Sequence, residues 1–264
     1  MKYIICFLLM MNIGLHATEE SVPPKEAWVV FATADYFDLL EVTIASVHEF
    51  SSRPIIAFGI NADLPFSEQK YPRLIKKRLD TYIAHGYIYY QKPRIIFESE
   101  LDFGVYIEAD DILTKGCDEL FKYAYLERDY PLCPIHPNDV RDQQSLMQVL
   151  GVKQPSMHYI HGHVIFSKQC MPFVREWYAT CMRYPHLAPN FDETVLNVLL
   201  WKHGITESVP PYDPYYLHAH QYVTLNRDET AASPFRMFHG CKNPKEAWEI
   251  FSALKSHALP FSTQ

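Results

Sequence analysis

The sequence predicts an α/β protein in which a single Rossmann-like mixed sheet is flanked by helices. Short apolar runs alternate along the chain with segments whose apolar residues follow helical spacing. Residues 27–33 are apolar almost throughout, which is typical of a parallel strand buried on both faces. The chain has 264 residues, of which 48% are hydrophobic, and contains no internal repeat or linker. We therefore expect residues 25–264 to form one domain with a substantial core.

The first half of the chain supplies most of the predicted strands. Helical spacing at Phe37, Leu40 and Ile44 predicts a helix directly after the first strand. A second helical pattern includes Leu74 and Tyr82. The predicted strands are residues 27–33, 54–60, 87–90 and 105–107.

The second half of the chain is less regular and contains more helix. Asn243 is a good N-cap for the last helix, because Pro244 suits the first helical position and Glu246 stands three residues after the cap. Residues 212–222 are rich in tyrosine and proline and are expected to form a loop. The predicted helices are residues 143–150, 172–183, 192–203 and 245–257, and strand-like runs occur at 159–160 and 164–166.

Charge and motif content exclude several classes of protein. The formal net charge is −7, and residues 76–78 form the longest run of lysine and arginine, so nucleic acid is not an expected partner. The glycine-rich dinucleotide and P-loop motifs are both missing from the sequence. The serine-hydrolase elbow, the H-E-x-x-H zinc motif and C-x-x-C are missing too. A functional site must therefore use carboxylates, histidines and lysines.

The amino terminus has the pattern of a signal peptide over residues 1–17. Its apolar run of about 13 residues is shorter than the roughly 20 that a membrane-spanning helix needs, so contact with a membrane is expected only through this segment, if it stays uncleaved. We expect the protein to enter the secretory pathway or to be exported. Five cysteines follow this segment, so an odd number of thiols is left for pairing.

An acidic segment follows the strand at residues 105–107. Glu108, Asp110 and Asp111 stand at the carboxyl end of this strand, which is where ligands bind in open α/β sheets. Crowded carboxylates repel one another unless a cation neutralises them, and Mg²⁺ or Mn²⁺ prefers such oxygen ligands. The alternative is that these acids only cap the turn that follows.

A group of histidines forms the other conspicuous feature. His161 and His163 would share a face of a strand, and His158 precedes them. These residues could form a metal site, although no third ligand stands at a recognisable spacing, or they could line an acceptor pocket. His218 and His220 lie in the tyrosine-rich loop, which suggests either a sugar-stacking wall or an ordinary core.

Several segments together resemble those of nucleotide-sugar glycosyltransferases with the GT-A fold, and most of all family 8, the glycogenin and lipopolysaccharide galactosyltransferase group. Glu108-Ala109-Asp110 resembles the D-x-D segment, with glutamate in place of the first aspartate. Residues 192–197, D-E-T-V-L-N, are similar to the D-Q-x-x-L-N helix start, and also to the D-E-S-x-L-N of blood-group-type retaining transferases. Residues 239–244, H-G-C-K-N-P, are similar to a shortened H-F-x-G-x-x-K-P-W. Lys92 stands where the family has a basic residue.

This resemblance implies a role for each group of residues. Mn²⁺ or Mg²⁺ would be held by Glu108, Asp110 and His239. Lys242, Lys92, Asp35 and Tyr36 would bind the nucleotide donor, with the last two on the uracil and ribose. Asp192 and Glu193 would act at the sugar in a retaining reaction. Alternatives remain open for some of these residues: Asp35 and Tyr36 as an ordinary turn, His239 as a structural histidine, and Asp192 as a helix N-cap.

The leading hypothesis is a glycosyltransferase that moves a sugar from a nucleotide diphosphate, with UDP as the expected nucleotide, to an unknown glycan, lipid or protein acceptor. Residues of about 25–115 would bind the nucleotide and residues of about 116–264 the acceptor. The second hypothesis is a catalytically inactive GT-A domain that binds carbohydrate or protein. A third, a metal hydrolase built on the histidines of residues 158–163, lacks a complete ligand set.

Overall fold

The computed structural model describes residues 25–82, 85–134, 143–187, 192–207, 217–218 and 237–256. Its strands are β1 (Glu26–Ala32), β2 (Ile55–Ile60), β3 (Leu74–Leu79), β4 (Phe103–Tyr106), β5 (Ile112–Leu113), β6 (Val164–Ser167), β7 (Leu217–His218) and β8 (Met237–His239). Five of them form the central sheet, in the order β3-β2-β1-β4-β6. Strands β1 to β4 run parallel and β6 is antiparallel to β4, so the sheet is mixed, as the sequence predicts.

Helices cover both faces of the central sheet. They are α1 (Phe37–Phe50), α2 (Gln91–Glu98), α3 (Phe121–Ala124), α4 (Gln144–Leu150), α5 (Met171–Arg183), α6 (Asp192–Lys202) and α7 (Pro244–Ser256). Residues of α1, α3 and α7 belong to the core on one face, and residues of α2, α4, α5 and α6 to the core on the other. Side chains of β1 alternate between the two cores: Trp28 and Val30 enter the first, Val29 and Phe31 the second. This explains why its sequence is apolar without alternation.

A small second sheet, in the order β5-β8-β7, connects distant parts of the chain. Strand β5 follows the acidic segment and pairs antiparallel with β8, which brings Ile112 opposite Phe238. Strand β7 pairs parallel with β8, with the backbone of His218 beside that of His239. The result is that His239 lies next to the carboxylates that follow β4.

The structure confirms most predicted elements and shows three of them to be wrong. The segment around Leu74 is not a helix but the edge strand β3, which pairs in parallel with β2. Only Leu74 and Leu79 of this strand are buried, so its apolar pattern does not alternate, and its cationic residues lie between them. Residues 87–90 are not a strand but part of a 3-10 helix, His85–Tyr90, that leads into α2. Of the two strand-like runs predicted at residues 159–160 and 164–166, the second forms β6, whereas Tyr159 and Ile160 lie outside a strand.

Two predictions concern segments that lie wholly or mostly outside the described residues. Residues 1–17 and most of 212–222 lie outside the described residues, so the signal peptide and the sugar-stacking wall stay predictions.

Asn243 caps α7 as predicted, because its Oδ1 accepts hydrogen bonds from the amides of Lys245 at 3.0 Å and Glu246 at 3.4 Å. The five cysteines within the described ranges are buried and form no disulfide bond with one another. Within those same ranges, no helix is both long and apolar enough to cross a membrane.

Candidate functional site

A pocket of about 290 Å³ lies at the carboxyl ends of β1 and β4. Its lining combines aromatic rings with charged side chains. The pocket is lined by Phe31, Ala32, Thr33, Tyr36, Ile88, Tyr89, Tyr106, Glu108, Ala109, Asp110 and Lys242. Its size and its mixture of an apolar wall with a few converging charges are typical of a small-molecule site.

The acidic segment after β4 is held in a tight turn. The Glu108 amide donates to Asp111 Oδ2 at 2.7 Å, and the Asp111 amide donates to the Glu108 carbonyl at 3.2 Å. The Thr43 hydroxyl of α1 lies 2.8 Å from the Ala109 carbonyl oxygen and 2.7 Å from that of Asp111. These contacts fix the backbone from within the fold, so the carboxylates are positioned before any ligand binds.

Glu108, Asp110 and His239 bring one potential ligand atom each to within 4.8 Å of one another. Two carboxylates and one imidazole are a suitable donor set for Mn²⁺ or Mg²⁺. Lys242 Nζ lies 2.7 Å from Asp110 Oδ2, so a cation already faces this carboxylate from the start of α7. The three residues that the resemblance assigns to a metal are therefore adjacent in space and fit that role.

The electrostatics of this group differ from residue to residue. Burial opposes ionisation of Glu108, but Lys92, His239 and His163 together outweigh burial and lower the pKa of Glu108 to about 2. Burial dominates at Asp110 and raises the pKa of that carboxyl. Burial also opposes the charge on His239, yet its contact with Asp111 raises the pKa of the imidazole to about 9. The site thus holds closely spaced opposite charges in a buried environment.

Lys92 of α2 lies behind the pocket rather than in its lining. Its side chain is 1% exposed, and Nζ lies 2.9 Å from Glu108 Oε1 and 3.0 Å from Asp192 Oδ2. Burial disfavours the ammonium, but Asp192 and Glu108 together raise the pKa of Lys92 well above its usual range. Burial raises the pKa of Asp192 to about 7 in spite of this cation. Lys92 therefore links the acidic turn to the start of α6.

The start of α6 is packed against residues 160–163. Glu193 Oε1 accepts a hydrogen bond from the Gly162 amide at 2.8 Å. Asn197 Oδ1 accepts from the Ile160 amide at 2.8 Å, and its Nδ2 donates to the Ile160 carbonyl at 3.0 Å. A Cβ at Gly162 would lie 2.4 Å from Lys92 Nζ and 2.8 Å from Glu193 Oε1, so a larger residue here would displace these two charged groups. Asp192 and Glu193 are thus buried beside the acidic turn, on its inner side.

The predicted histidine group is only partly assembled. His161 and His163 are buried and in contact, with their Nδ1 atoms 2.7 Å apart, whereas His158 is exposed. His239 takes the place expected for His158: its ring centroid lies 5.0 Å from that of His161 and 4.9 Å from that of His163. Asp111 lies between His163 and His239.

The residues predicted to bind the donor occupy different positions. Tyr36 and Lys242 line the pocket. Asp35 is exposed, accepts a hydrogen bond from the Thr33 hydroxyl and does not line the pocket. Sequence reasoning did not single out Tyr89, which lines the pocket from the 3-10 helix before α2. The aromatic run to which Tyr89 belongs was visible in the sequence, but it was interpreted as a strand.

Comparison with known proteins gives matches among solved structures alone: no family model and no curated protein matches the chain. LgtC in complex with donor and acceptor sugar analogues is 15% identical, with a TM-score of 0.55 over 90% of this chain and 98% of that one. The chain has the GT-A glycosyltransferase fold. An active-site mutant of LgtC gives 13% identity and a TM-score of 0.55, covering 86% of this chain and 95% of the other. The fold predicted from the resemblance is therefore confirmed.

The apo form of the glycosyltransferase GlyE from Streptococcus pneumoniae TIGR4 is also similar. It is 14% identical to this chain, with a TM-score of 0.55 over 88% of the chain. The chain spans 62% of the length of that GlyE structure. At these identities the comparisons establish a common fold, and the chemistry must be argued from the residues of the site.

Proposed function

We propose that the protein is a glycosyltransferase that uses a nucleotide-diphosphate sugar, with UDP as the nucleotide. The observation that carries this proposal is the convergence of Glu108, Asp110 and His239, of which the two acids line the pocket together with Lys242. A divalent ion held by this set, together with the ammonium of Lys242, would neutralise the charge of a diphosphate. In further support, the similar protein LgtC has been solved with donor and acceptor sugar analogues.

The aromatic residues of the pocket lining suit a nucleoside. Phe31, Tyr36, Tyr89 and Tyr106 offer ring surfaces for a base, and Thr33 adds a polar group beside them. Asp110 and Lys242 line the same pocket, so a nucleoside held by these rings can direct its phosphates toward them.

The diphosphate is the leaving group, and its developing negative charge must be stabilised. A divalent ion held by Glu108, Asp110 and His239 would supply that stabilisation when bound. Lys242 adds a second positive charge: its side chain is 70% exposed and can turn from Asp110 toward a phosphate oxygen. Lys242 also precedes the amino terminus of α7, which favours anions.

Asp192 and Glu193 are proposed to act at the sugar, in a reaction that retains configuration. Glu193 is held by the Gly162 amide, and its Oε1 lies 3.7 Å from His161 Nδ1. A carboxylate fixed in this way can stabilise a positive oxocarbenium-like centre or attack it. Asp192 is paired with Lys92, which leaves Glu193 as the better candidate for contact with the sugar.

One observation favours an inactive, carbohydrate- or protein-binding GT-A domain. Asp110 already has an internal cation, because Lys242 Nζ lies 2.7 Å from its carboxylate. If this ion pair were permanent, Asp110 would have less need of a metal. The two functions differ in turnover, which can be measured.

The test is a panel of nucleotide sugars with Mn²⁺, in which release of the nucleotide diphosphate is followed with and without candidate acceptors. We expect release from one donor by the wild type and none by Asp110→Asn. Asp118→Asn is the matched control, because Asp118 is a half-buried aspartate outside the pocket. Binding of UDP without turnover of any donor would support the inactive domain, and no nucleotide binding at all would contradict both functions.

A further inference from the structure

Behind the pocket, three imidazoles and one carboxylate form a buried cluster, which we call the histidine cluster: His161, His163, His239 and Asp111. The rings of His161 and His163 are stacked with centroids 4.6 Å apart, and both meet the ring of His239 edge-on. The side chains of His163 and Asp111 are fully buried, and that of His239 is 13% exposed. Several titratable groups therefore share one compact and largely buried site.

Asp111 lies between two of these imidazoles. Its Oδ2 is 2.8 Å from His163 Nε2, and its Oδ1 is 2.9 Å from His239 Nδ1. One potential ligand atom from each of the three residues lies within 4.8 Å of the other two. In a tetrahedral zinc site with bonds of ~2.0–2.1 Å, ligand atoms lie roughly 3.3 Å apart. The two contacts of Asp111 would have to open by roughly 0.4–0.5 Å, and the two imidazole nitrogens, which lie within 4.8 Å of each other, would have to reach the same spacing.

We propose that Asp111, His163 and His239 bind a transition-metal ion, for which Zn²⁺ is the probe. Two imidazole nitrogens and one carboxylate oxygen are a typical ligand set for zinc, with a fourth position left for water. This set differs from Glu108, Asp110 and His239, in which oxygen donors are in the majority and suit Mg²⁺ or Mn²⁺. The sequence suggested a metal site at His161 and His163 but no third ligand, and the fold brings Asp111 and His239 next to His163.

The surroundings of these residues support ligation. His163 Nδ1 lies 2.7 Å from His161 Nδ1, so a His163 that binds metal through Nε2 can donate its other ring N–H to His161. Metal-bound histidines usually make such a contact, which fixes the orientation of the ring. Asp111 Oδ2 also accepts the Glu108 amide at 2.7 Å, which holds the carboxylate in place. The ligands are therefore held in position by neighbouring groups.

His239 belongs to both ligand sets, and this has a consequence for the pocket. Its Nδ1 lies 2.9 Å from Asp111 Oδ1 and 3.7 Å from Asp110 Oδ1. One nitrogen has one lone pair and cannot bind two ions. Zinc in the histidine cluster should therefore weaken Mn²⁺-dependent nucleotide binding in the pocket. This consequence, unlike the site itself, rests on the proposed function.

The site is tested by zinc titration of the full chain without nucleotide, after removal of metal by a chelator and dialysis. Isothermal calorimetry and metal analysis should give one zinc ion per chain for the wild type and for Glu108→Gln. His163→Gln should lose this binding, and His161→Gln should weaken it by ~10–100-fold, as expected for a group that orients a ligand. The proposal is overturned if the wild type binds no zinc, if His163→Gln binds it equally well, or if Glu108→Gln loses it.

Two further measurements keep the test decisive should His163→Gln fail to fold. Wild type loaded with Co²⁺ should show the visible absorption of a four-coordinate site. A spectrum of hexaaqua Co²⁺ alone would overturn the proposal. Zinc should also reduce Mn²⁺-dependent UDP affinity in the wild type but not in a folded His163→Gln. If UDP does not bind at all, the proposed function fails, while the zinc titration still decides this site.

Discussion

Replacing Lys92 by methionine removes the positive charge that joins the acidic turn to α6. The Lys92 side chain is 1% exposed, and its ammonium lies 2.9 Å from Glu108 and 3.0 Å from Asp192. Methionine fills a similar volume without the charge. Both carboxylates would then remain buried without their cation, and we expect a large loss of stability.

The size of this loss follows from burial. Removing one partner of a buried ion pair costs about 3–5 kcal/mol, since the other charge is left uncompensated. Lys70→Met is the matched control: Lys70 lies 2.7 Å from Glu41 but is 57% exposed, and exposed pairs contribute roughly 0–1 kcal/mol. For a domain of this size, 1 kcal/mol corresponds to a Tm change of about 2–4 °C. We therefore expect Lys92→Met to lower Tm by ~6–20 °C and Lys70→Met by at most ~4 °C.

Urea unfolding, followed by the fluorescence of the buried tryptophans, measures both variants on one scale. The double variant Lys92→Met with Asp192→Asn should recover part of the loss, because one of the two uncompensated charges is then absent. Equal free energies of unfolding for Lys92→Met and Lys70→Met would refute the assignment of Lys92 as a buried electrostatic link. A double variant less stable than Lys92→Met would refute the role of Asp192 in it.

Three further outcomes are expected. Lys242→Ala should raise the barrier to sugar transfer by about 2–4 kcal/mol and so lower kcat by ~30–1,000-fold, because the leaving group is less well stabilised. A wild-type rate in this variant would show that Lys242 only forms part of the loop that leads into α7. Glu193→Gln should keep the fold and UDP affinity, because glutamine can still accept the Gly162 amide, but lower kcat by ~10²-fold, and full turnover would exclude a role at the sugar. Burial opposes ionisation of Asp118, yet hydrogen bonds from Ser51 and Ser52 outweigh burial and lower the pKa of Asp118. The ionised carboxylate therefore stabilises the fold at pH values above its unfolded pKa of about 3.9, and this stabilisation is lost as the pH falls through the folded pKa. Asp118→Asn should therefore cost about 1–2 kcal/mol at pH 7, with the difference from wild type narrowing below about pH 4 in urea unfolding, and a difference independent of pH would contradict this.

Local sequence patterns were sufficient for most of the fold and for part of the site. The double-sided burial of β1 and the cap of α7 follow from short segments, and both are observed. The carboxylates at the end of β4 were also visible, because the strand and the acids are contiguous in the sequence. Edge strand β3 was missed because its charged residues lie between two buried leucines and imitate helical spacing.

Contacts between distant segments could not be derived in this way. Asp111 was recognised as one of three acids, but its contact with His163 spans 52 residues and depends on how β6 and the acidic turn meet. Lys92 was expected at the donor because of the resemblance, whereas its burial between Glu108 and Asp192 is a property of packing. The sequence thus identified several chemical groups of the site but not how they are paired.

Calorimetric titration of UDP into the wild type and Asp110→Ala, each with and without Mn²⁺, tests most directly whether the pocket binds a nucleotide diphosphate through a metal. Asp110 belongs to the group of potential metal ligands and also lines the pocket, so its loss should weaken both metal binding and nucleotide binding. We expect UDP to bind the wild type only with Mn²⁺, and Asp110→Ala to lose this metal-dependent binding while remaining folded. Equal affinity with and without Mn²⁺, or an unchanged metal dependence in Asp110→Ala, would contradict the proposed site.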